Sequence, residues 1–244
     1  MRFGFPLGVI AVCGRFAFAA DGTHVLQQFK LAMLPPGVSP RYNAAPGQDI
    51  LTVRQNAAGE RDAAFHRWGL IPSWAKDPSI GYKMINARSE TLSERPSFRT
   101  AFRLRRCVIP ATGFYEWRQI GGRKLPMYFY RLDGRLLGLA GLWEAWRSPD
   151  GNVIQSVTII TTEPNELVSP VHNRMPVILR DDRVDLWLDH SSFDEAALRA
   201  CLQPFPAEAM AAHAVSPRMN SARYEAPNCI DPWDEAMEAE GAEA

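Results

Sequence analysis

The most reactive arrangement in this sequence is Cys13, which opens the run Cys13-Gly14-Arg15-Phe16. A cysteine at the first position of a chain carries a free α-amine and a thiol on adjacent carbons. Together these groups can trap an aldehyde in a ring, which no internal cysteine can do. The amine has a pKa of about 7.7–8.0, so a useful fraction of it is neutral and nucleophilic near pH 7. We expect Cys13 to be a covalent nucleophile if the working protein starts there.

The residues that precede Cys13 decide whether this amine is free. Segment 1–12 faintly resembles a lipoprotein signal, but Pro6 and two glycines interrupt its apolar run and the bulky Val12 occupies the cleavage position. It is also shorter than the roughly 20 apolar residues of a transmembrane span. We expect residues 1–12 to be an extension. Either translation starts at Val12, or the segment is a propeptide, and in both cases Cys13 becomes the first residue.

Charge is unevenly distributed along a chain whose formal net charge is zero. Between Arg61 and Arg131 there are fourteen Lys and Arg against five acids, whereas six acids and no base follow from Asp231 to Ala244. The basic middle suggests an anionic partner, although a solvated basic face explains it equally well. Residues 235–244 are acidic, Ala-rich and without hydrophobic periodicity, so we expect this tail to be disordered.

The four cysteines and five histidines are widely scattered. Their spacing indicates neither a zinc site nor a dense disulfide framework, so we expect no metal and no cofactor. Unpaired cysteines fit the reducing cytoplasm, and we expect a protein that does not bind membranes.

Turn-forming residues divide the centre of the chain into short strand-like runs. The predicted strands cover 50–54, 63–68, 107–110, 113–118, 126–132, 136–143 and 153–161. Gly121-Gly122 and Asp133-Gly134 are hairpin turn signals among them. The pattern predicts a meander of antiparallel strands within a single α+β domain, residues 13–234.

Short helices are predicted on either side of these strands. Thr23 to Met33 has apolar residues at helical spacing, with Thr23 as the cap. Further helices are expected after Thr162, over Asp181 to Leu188, and after Ser192, which forms a capping box with Glu195 three residues later.

Four clusters contain more reactive and aromatic residues than packing requires. They are Cys13-Gly14-Arg15-Phe16; Trp68-Gly69-Leu70-Ile71-Pro72-Ser73-Trp74 with Ile85-Asn86-Ala87-Arg88-Ser89-Glu90; Gly113-Phe114-Tyr115-Glu116-Trp117; and Val171-His172-Asn173-Arg174-Met175-Pro176. Each cluster alone is weak evidence, because a Trp-Gly turn is commonly structural and a lone His is more often a satisfied polar residue than a catalyst. In this order, they resemble the SRAP family, the SOS response-associated peptidases or abasic-site processing proteins.

The resemblance extends over nearly the whole chain. Further matching blocks are Arg41-Tyr42-Asn43-Ala44-Ala45-Pro46, Arg106-Cys107-Val108-Ile109-Pro110, Thr161-Thr162, and Val215-Ser216 with Asn220. The resemblance implies a mainly antiparallel, barrel-like β-sheet core with a few short flanking helices. We expect a monomer that works in the cytoplasm, at the nucleoid or with the replication machinery.

The resemblance implies a sensor of abasic sites in single-stranded DNA that acts in the DNA damage and SOS responses. It would form a covalent thiazolidine crosslink through Cys13, with AP lyase activity and self-reversal belonging to the same mechanism. By analogy with the family, Glu116 transfers protons, His172 protonates the sugar ring oxygen as the ring opens, and Asn86 holds the sugar and the cysteine.

Five further residues are candidates for binding DNA. Arg15, Arg88 and Arg174 lie inside the matching blocks and could grip phosphates, whereas Trp74 and Trp117 could stack on bases beside the lesion.

Two other functions are compatible with the same residues. In a terminal-cysteine peptidase or amidase, Cys13, Glu116 and His172 would perform acyl chemistry, including autoproteolysis of the Val12-Cys13 bond. In a noncatalytic single-strand DNA binder, Cys13 would only be a small buried residue.

Overall fold

Two β-sheets form the core of the computed structural model, which describes residues 13–56 and 58–234. The strands in these ranges are β1 (Phe16–Phe18), β2 (Arg41–Ala44), β3 (Asp49–Gln55), β4 (Arg61–Trp68), β5 (Asn86–Arg88), β6 (Arg106–Ala111), β7 (Gly113–Ile120), β8 (Arg123–Arg131), β9 (Leu137–Arg147), β10 (Val153–Thr162), β11 (Met175–Pro176) and β12 (Met210–Ala214). The α-helices are α1 (Gly22–Phe29), α2 (Arg99–Leu104), α3 (Val184–Leu188) and α4 (Glu195–Ala200). The presence of both helices and a mainly antiparallel, barrel-like sheet core confirms the predicted α+β fold.

The first sheet has the order β12-β8-β7-β1-β2, and all of its pairs are antiparallel. Strands β7 and β8 form its central hairpin, with Ile120 opposite Arg123. Gly121 and Gly122 form the two-residue turn at φ of 55° and 81°. Positive φ at both positions matches the right-handed twist of a hairpin, and glycine adopts it without steric strain.

The second sheet closes into a five-stranded barrel in the order β10-β4-β3-β6-β9, with β9 pairing back onto β10. A closed ring with an odd number of strands must contain a parallel pair. That pair is β4 with β10, where Arg67 lies opposite Ser156. The short strands β5 and β11 extend the sheet at the C-terminal end of β10.

A buried arginine attaches helix α3 to the barrel. Arg106 on β6 has no exposed surface, and its guanidinium donates to the main-chain carbonyls of Phe102, Arg103, Trp187 and Asp189. Four carbonyl acceptors compensate the loss of hydration that an isolated buried charge would suffer.

Several sequence predictions were wrong in detail. The strands do not form one meander, because β8 and β9 follow each other in sequence but lie in different sheets, and β4 and β5 both run parallel to β10. The residues after Thr162 form turns rather than a helix. Strand β2 was not among the predicted strands.

The predicted helix caps are also corrected. Helix α1 is capped by Asp21, whose side chain accepts from the main-chain N–H of His24, and not by Thr23. Helix α4 is capped by Asp194, which accepts from Ala197, and not by Ser192. In both cases the carboxylate lies three residues before the N–H that it accepts from.

Two predictions concern residues outside the described ranges, namely the extension 1–12 and the tail 235–244. None of the described helices is long and apolar enough to cross a bilayer.

We predict that Gly69→Ala destabilises the protein by about 3 kcal/mol, because Gly69 combines positive φ with a close contact. Its φ is 124°, and a Cβ there would lie 2.6 Å from the carbonyl oxygen of Gly81. Gly122→Ala is the matched control, since its φ is also positive but the space around it is open. We expect the control to cost about 1 kcal/mol in urea unfolding. Equal losses would show that the contact with Gly81 does not matter.

Candidate active site

Strand pairing brings Cys13 against Glu116. Phe16 on β1 lies opposite Phe114 on β7, and the main-chain N–H of Tyr115 donates to the carbonyl of Arg15 at 3.1 Å. The same antiparallel approach carries Cys13 alongside the next inward-facing residue of β7. The main-chain N–H of Cys13 donates to Glu116 Oε1 at 2.6 Å, and both residues are buried, with exposed fractions of 2% and 1%.

Burial favours the protonated, uncharged forms of the Cys13 thiol and the Glu116 carboxyl group. It raises the pKa of Glu116 to about 7, although the hydrogen bonds from Cys13 act in the opposite direction. Burial also raises the pKa of the Cys13 thiol well above its usual value, helped by the negative charge of Glu116 and by the hydrogen bond between them. The positive charge of Arg174 lowers it. Glu116 can therefore gain and lose a proton near neutral pH.

Cys13 has a strained backbone as well as a buried side chain. Its φ is 47°, in the left-handed region that residues other than glycine seldom adopt. Among the other described residues that are not glycine, only Lys30 has a positive φ, and Lys30 forms the C-cap of α1. Helix termination explains Lys30, whereas Cys13 lies outside any helix. Such outliers are most often found at functional sites.

The second half of the site lies at the C-terminal end of β10. Asn86 on β5 lies beside Ile159, and Arg88 beside Thr161. On the other side of β10, Thr162 lies opposite Met175, which directly follows the segment of His172 and Arg174. Two predicted clusters that are distant in sequence therefore flank the same three or four residues of β10.

Trp68 joins the two halves of the site. Its ring packs against Phe16 with the ring centroids 5.3 Å apart, and its Nε1–H donates to the carbonyl of Ile85 at 2.9 Å. Phe16 lies three residues after Cys13, and Ile85 directly precedes Asn86. Trp68 is 1% exposed, so it acts as a core residue between the five-stranded sheet and the barrel.

His172 and Arg174 are held in a defined relative arrangement. The main-chain N–H of Arg174 donates to Nδ1 of His172 at 3.1 Å. Burial lowers the pKa of His172, which favours the neutral ring. Because Nδ1 accepts this hydrogen bond, the proton of the neutral ring lies on Nε2. His172 can thus present an N–H donor.

The arginines predicted to bind DNA differ in how many hydrogen bonds their guanidinium groups already make to the protein. The guanidinium of Arg15 donates to Asn43 Oδ1 at 2.7 Å and to the carbonyls of Met219 and Asn220. That of Arg174 forms two hydrogen bonds with Glu90, at 2.5 and 3.0 Å. Arg88 is exposed on β5. Only this last arginine presents its charge largely to solvent.

The two candidate tryptophans lie on different elements. Trp74 is 57% exposed in the connection between β4 and β5. Trp117 is half-buried on β7 beside Glu116, and its Nε1–H donates to Asn220 Oδ1 at 2.7 Å. Trp74 therefore offers the larger accessible ring face.

Sequence reasoning gave no role to Asn43 and Glu90, although both lie in the matching blocks. Asn43 is fully buried and its side-chain amide donates to the carbonyls of Met219, Ser221 and Tyr224. It fastens the C-terminal segment next to Arg15. Within residues 13–56 and 58–234, no group of His, Cys, Asp and Glu is arranged to hold a metal ion.

Comparison with known proteins identifies the family. The family described as SOS response associated peptidase (SRAP) matches residues 12–222. YoqW of Bacillus subtilis (strain 168), named an abasic site processing protein, is 45% identical over 223 residues, which cover 90% of this chain and 99% of YoqW. The chain belongs to the SRAP family.

More distant SRAP relatives agree with this assignment. HMCES of Gallus gallus, also named an abasic site processing protein, is 37% identical over 225 residues, covering 79% of this chain and 66% of HMCES. A crystal structure of a protein from Bordetella bronchiseptica superimposes with a TM-score of 0.73 at 32% identity, over 84% of this chain and all of that one. The SRAP match covers every residue of the two site halves described above.

The raised pKa of Glu116 has a consequence for the stability of this SRAP protein. With a folded pKa of about 7 against the usual 4.5, the folded state binds more protons than the unfolded state between these values. The free energy of unfolding should therefore fall as pH rises from 4.5 to 7, by about 3 kcal/mol. Glu116→Gln should remove this decrease in urea unfolding of the chain that retains residues 1–12.

A chain that begins at Cys13 provides the control. Its ammonium group would lie where the main-chain N–H now contacts Glu116, and a positive charge there lowers the carboxyl pKa. We expect its stability to depend less on pH. If the free energy of unfolding changes equally with pH in wild type and in Glu116→Gln, both with residues 1–12, the pKa of Glu116 is not raised.

Proposed function

We propose that this protein processes abasic sites in single-stranded DNA by forming a covalent thiazolidine through Cys13. The observation that carries the proposal is the 2.6 Å contact between the nitrogen of Cys13 and the carboxyl group of Glu116 in a buried site. This contact supports a proton-transfer role for Glu116 at the nitrogen that acts as the nucleophile once it is a free amine. The names of the relatives YoqW and HMCES support the same substrate.

The first step is attack of the Cys13 amine on C1′ of the open-chain sugar. Neutral amine adds to the aldehyde carbon to give a carbinolamine. Glu116 then protonates the carbinolamine hydroxyl, which leaves as water, and a protonated imine remains beside the Glu116 carboxylate. In the chain that retains residues 1–12, burial raises the pKa of this carboxyl group to about 7, and the ammonium of a chain that begins at Cys13 lowers it from there, so Glu116 can both take the ammonium proton and return it to the leaving oxygen.

The second step closes the ring through sulfur. Sγ adds to C1′ of the protonated imine as the thiol loses its proton, and the nitrogen keeps the proton that it already carries. Burial keeps the thiol protonated before the reaction. Glu116, deprotonated after it has lost its proton to the leaving hydroxyl, lies within hydrogen-bond distance of the thiol and accepts its proton. The overall change is aldehyde plus aminothiol to thiazolidine plus water.

His172 and Asn86 act on the sugar. Ring opening of the hemiacetal moves the proton of the C1′ hydroxyl to the ring oxygen, and the Nε2–H of the neutral His172 ring donates a hydrogen bond to that oxygen as its bond to C1′ breaks. The amide of Asn86 supplies donor and acceptor groups for the sugar hydroxyls without changing charge. Protonation of the thiazolidine by the same groups runs the sequence backwards and releases the DNA.

An AP lyase reaction follows from the same imine. Loss of a proton from C2′ allows the bond between C3′ and its oxygen to break, and the 3′ phosphate leaves. Thiazolidine closure competes with this elimination because it consumes the imine. The balance of crosslink and strand cleavage therefore depends on how rapidly Sγ adds.

DNA contacts are sequence-independent in this proposal. Trp74 provides an exposed ring for stacking and Arg88 an exposed charge for phosphate. Trp117, next to Glu116, borders the lesion. Arg15 and Arg174 already have protein partners, so a phosphate that binds them must compete with those contacts.

The crosslink requires a free amine on Cys13. A second activity, cleavage of the Val12-Cys13 bond by the protein itself, would supply it. The left-handed φ of Cys13 and the contact of Glu116 with the nitrogen of that bond favour this reaction. The thiol would attack the Val12 carbonyl, Glu116 would protonate the departing amine, and water would hydrolyse the thioester.

A crosslinking assay tests the proposal. Protein translated from Met1 and protein translated from Val12 are each mixed with a single-stranded oligonucleotide that contains one abasic site, and the products are run on a denaturing gel. We expect a heat-stable shifted band from chains whose intact mass begins at Cys13. Cys13→Ala should abolish the band, whereas Cys201→Ala, which removes another buried cysteine, should retain it.

Other outcomes contradict or support separate parts of the proposal. Binding without a shifted band, from a chain that begins at Cys13, would leave a noncatalytic DNA binder. A stable chain that begins at Met1 and still crosslinks would rule out the amine mechanism. If Glu116→Gln prevents loss of residues 1–12 from the Met1 chain, self-cleavage is supported.

Salt separates the encounter from the covalent product. Raising salt from 50 to 200 mM should weaken noncovalent binding of a nonreactive abasic analogue by roughly tenfold or more, because binding releases counterions from the phosphates. The finished crosslink should be unaffected by salt, as measured on the same gel. Dissociation of the shifted band by salt would show that it is not covalent.

A further inference from the structure

We infer that Glu90 is a positioning residue of the proposed abasic-site reaction, which holds Arg174 in the site at the expense of DNA affinity. The inference rests on the proposed function. Glu90 acts through Arg174, and we assign it no contact with the substrate. In this view the carboxylate keeps a guanidinium from binding phosphate so that it serves the chemistry of Cys13 and His172.

The contacts of Arg174 support this role. Its Nη1 donates to Glu90 Oε1, and its Nη2 donates to Glu90 Oε2. Nη2 also donates to the carbonyl of Thr161 on β10 at 2.7 Å. The side chain of Arg174 is 12% exposed, whereas that of Glu90 is 46% exposed. Glu90 thus holds the mostly buried guanidinium from its solvent side with two hydrogen bonds, and the carbonyl of Thr161 holds it from β10.

Arg174 influences two reactive groups, the ring of His172 and the thiol of Cys13. Its main-chain N–H sets the tautomer of His172, and its positive charge lowers the pKa of the Cys13 thiol. Both effects depend on where the segment that carries Arg174 is held against β10. Removal of Glu90 would leave the anchor on Thr161 but release the outer half of the guanidinium.

Glu90 also affects DNA binding, in the opposite direction. A carboxylate on the surface that faces the phosphates repels them, and it occupies two of the guanidinium donors that a phosphate would use. Without it, the local charge is more positive by one unit and the guanidinium fork is available. Loss of Glu90 should therefore strengthen or maintain DNA binding while it slows the reaction.

The test is Glu90→Gln in the chain that begins at Cys13. Affinity is measured with a single strand that contains a tetrahydrofuran analogue, which has no aldehyde. Reaction is measured as the single-turnover rate of crosslinking at saturating abasic DNA. We expect the rate to fall about tenfold while the Kd for the analogue stays the same or decreases up to about fivefold.

Glu94→Gln is the matched control, because it removes an exposed acid four residues away on the same connection. We expect it to leave the crosslinking rate unchanged. Arg174→Lys keeps the charge but loses the fork, so it should slow crosslinking similarly, and adding Glu90→Gln to it should produce little further loss. Additive losses would mean that Glu90 does not act through Arg174.

Several results would overturn the inference. An unchanged rate for Glu90→Gln, or a loss of rate matched by an equal loss of affinity, contradicts the positioning role. If Glu90→Gln does not fold, Glu90→Asp is used; it keeps the charge on a shorter side chain, and we expect a smaller fall in rate with unchanged affinity. Failure of the wild-type chain to crosslink would instead reject the proposed function.

Discussion

The antiparallel pairing of β1 with β7 is the constraint on which the site depends. It brings the nitrogen of Cys13 to the carboxyl group of Glu116, although 103 positions separate them in sequence. Gly113 makes this pairing compatible with the hairpin on the other side of β7. A Cβ at that position would lie 2.4 Å from the Tyr128 ring and 2.5 Å from the Phe129 carbonyl, so the strands approach as closely as the absence of a side chain allows.

The same pairing imposes an energetic conflict. A fully buried carboxylate is unfavourable unless it is well paired, and the partner of Glu116 here is a single N–H and a thiol rather than a full positive charge. Burial therefore favours the protonated carboxyl group. A residue selected only for stability would be apolar at this position. Retaining an acid that titrates near pH 7 makes sense if its function is to move protons.

Local sequence signals predicted the elements better than their arrangement. The hairpin at Gly121-Gly122 follows from the conformations that glycine allows, and the runs that became β3, β4 and β10 follow from β-branched and aromatic content. Barrel closure, and with it the parallel pair of β4 and β10, was not predictable from the sequence pattern alone. It depends on contacts between distant strands, and such contacts leave no local pattern in the sequence.

The same limit applied to the site. The residue types of Cys13, Glu116 and His172 indicated chemistry, but no spacing showed that the first two touch. Glu90 was visible in its sequence block and still had no predictable partner, because Arg174 reaches it from the other side of β10. Caps were misplaced by two residues for a simpler reason. Asp, Ser and Thr all satisfy free N–H groups, and the sequence does not say which turn begins the helix.

An abasic site lacks the base that most nucleic-acid readers contact, so noncovalent recognition must come from phosphates and neighbouring bases. In this protein, two of the three arginines in the matching blocks are engaged by Asn43 and Glu90. Under the proposed function, the encounter with DNA is left mainly to Arg88 and Trp74, and is expected to be weak and reversible. Durable attachment would then come from the proposed covalent bond to Cys13. Discrimination would follow from the same division, because DNA without an aldehyde would offer the proposed aminothiol nothing to react with.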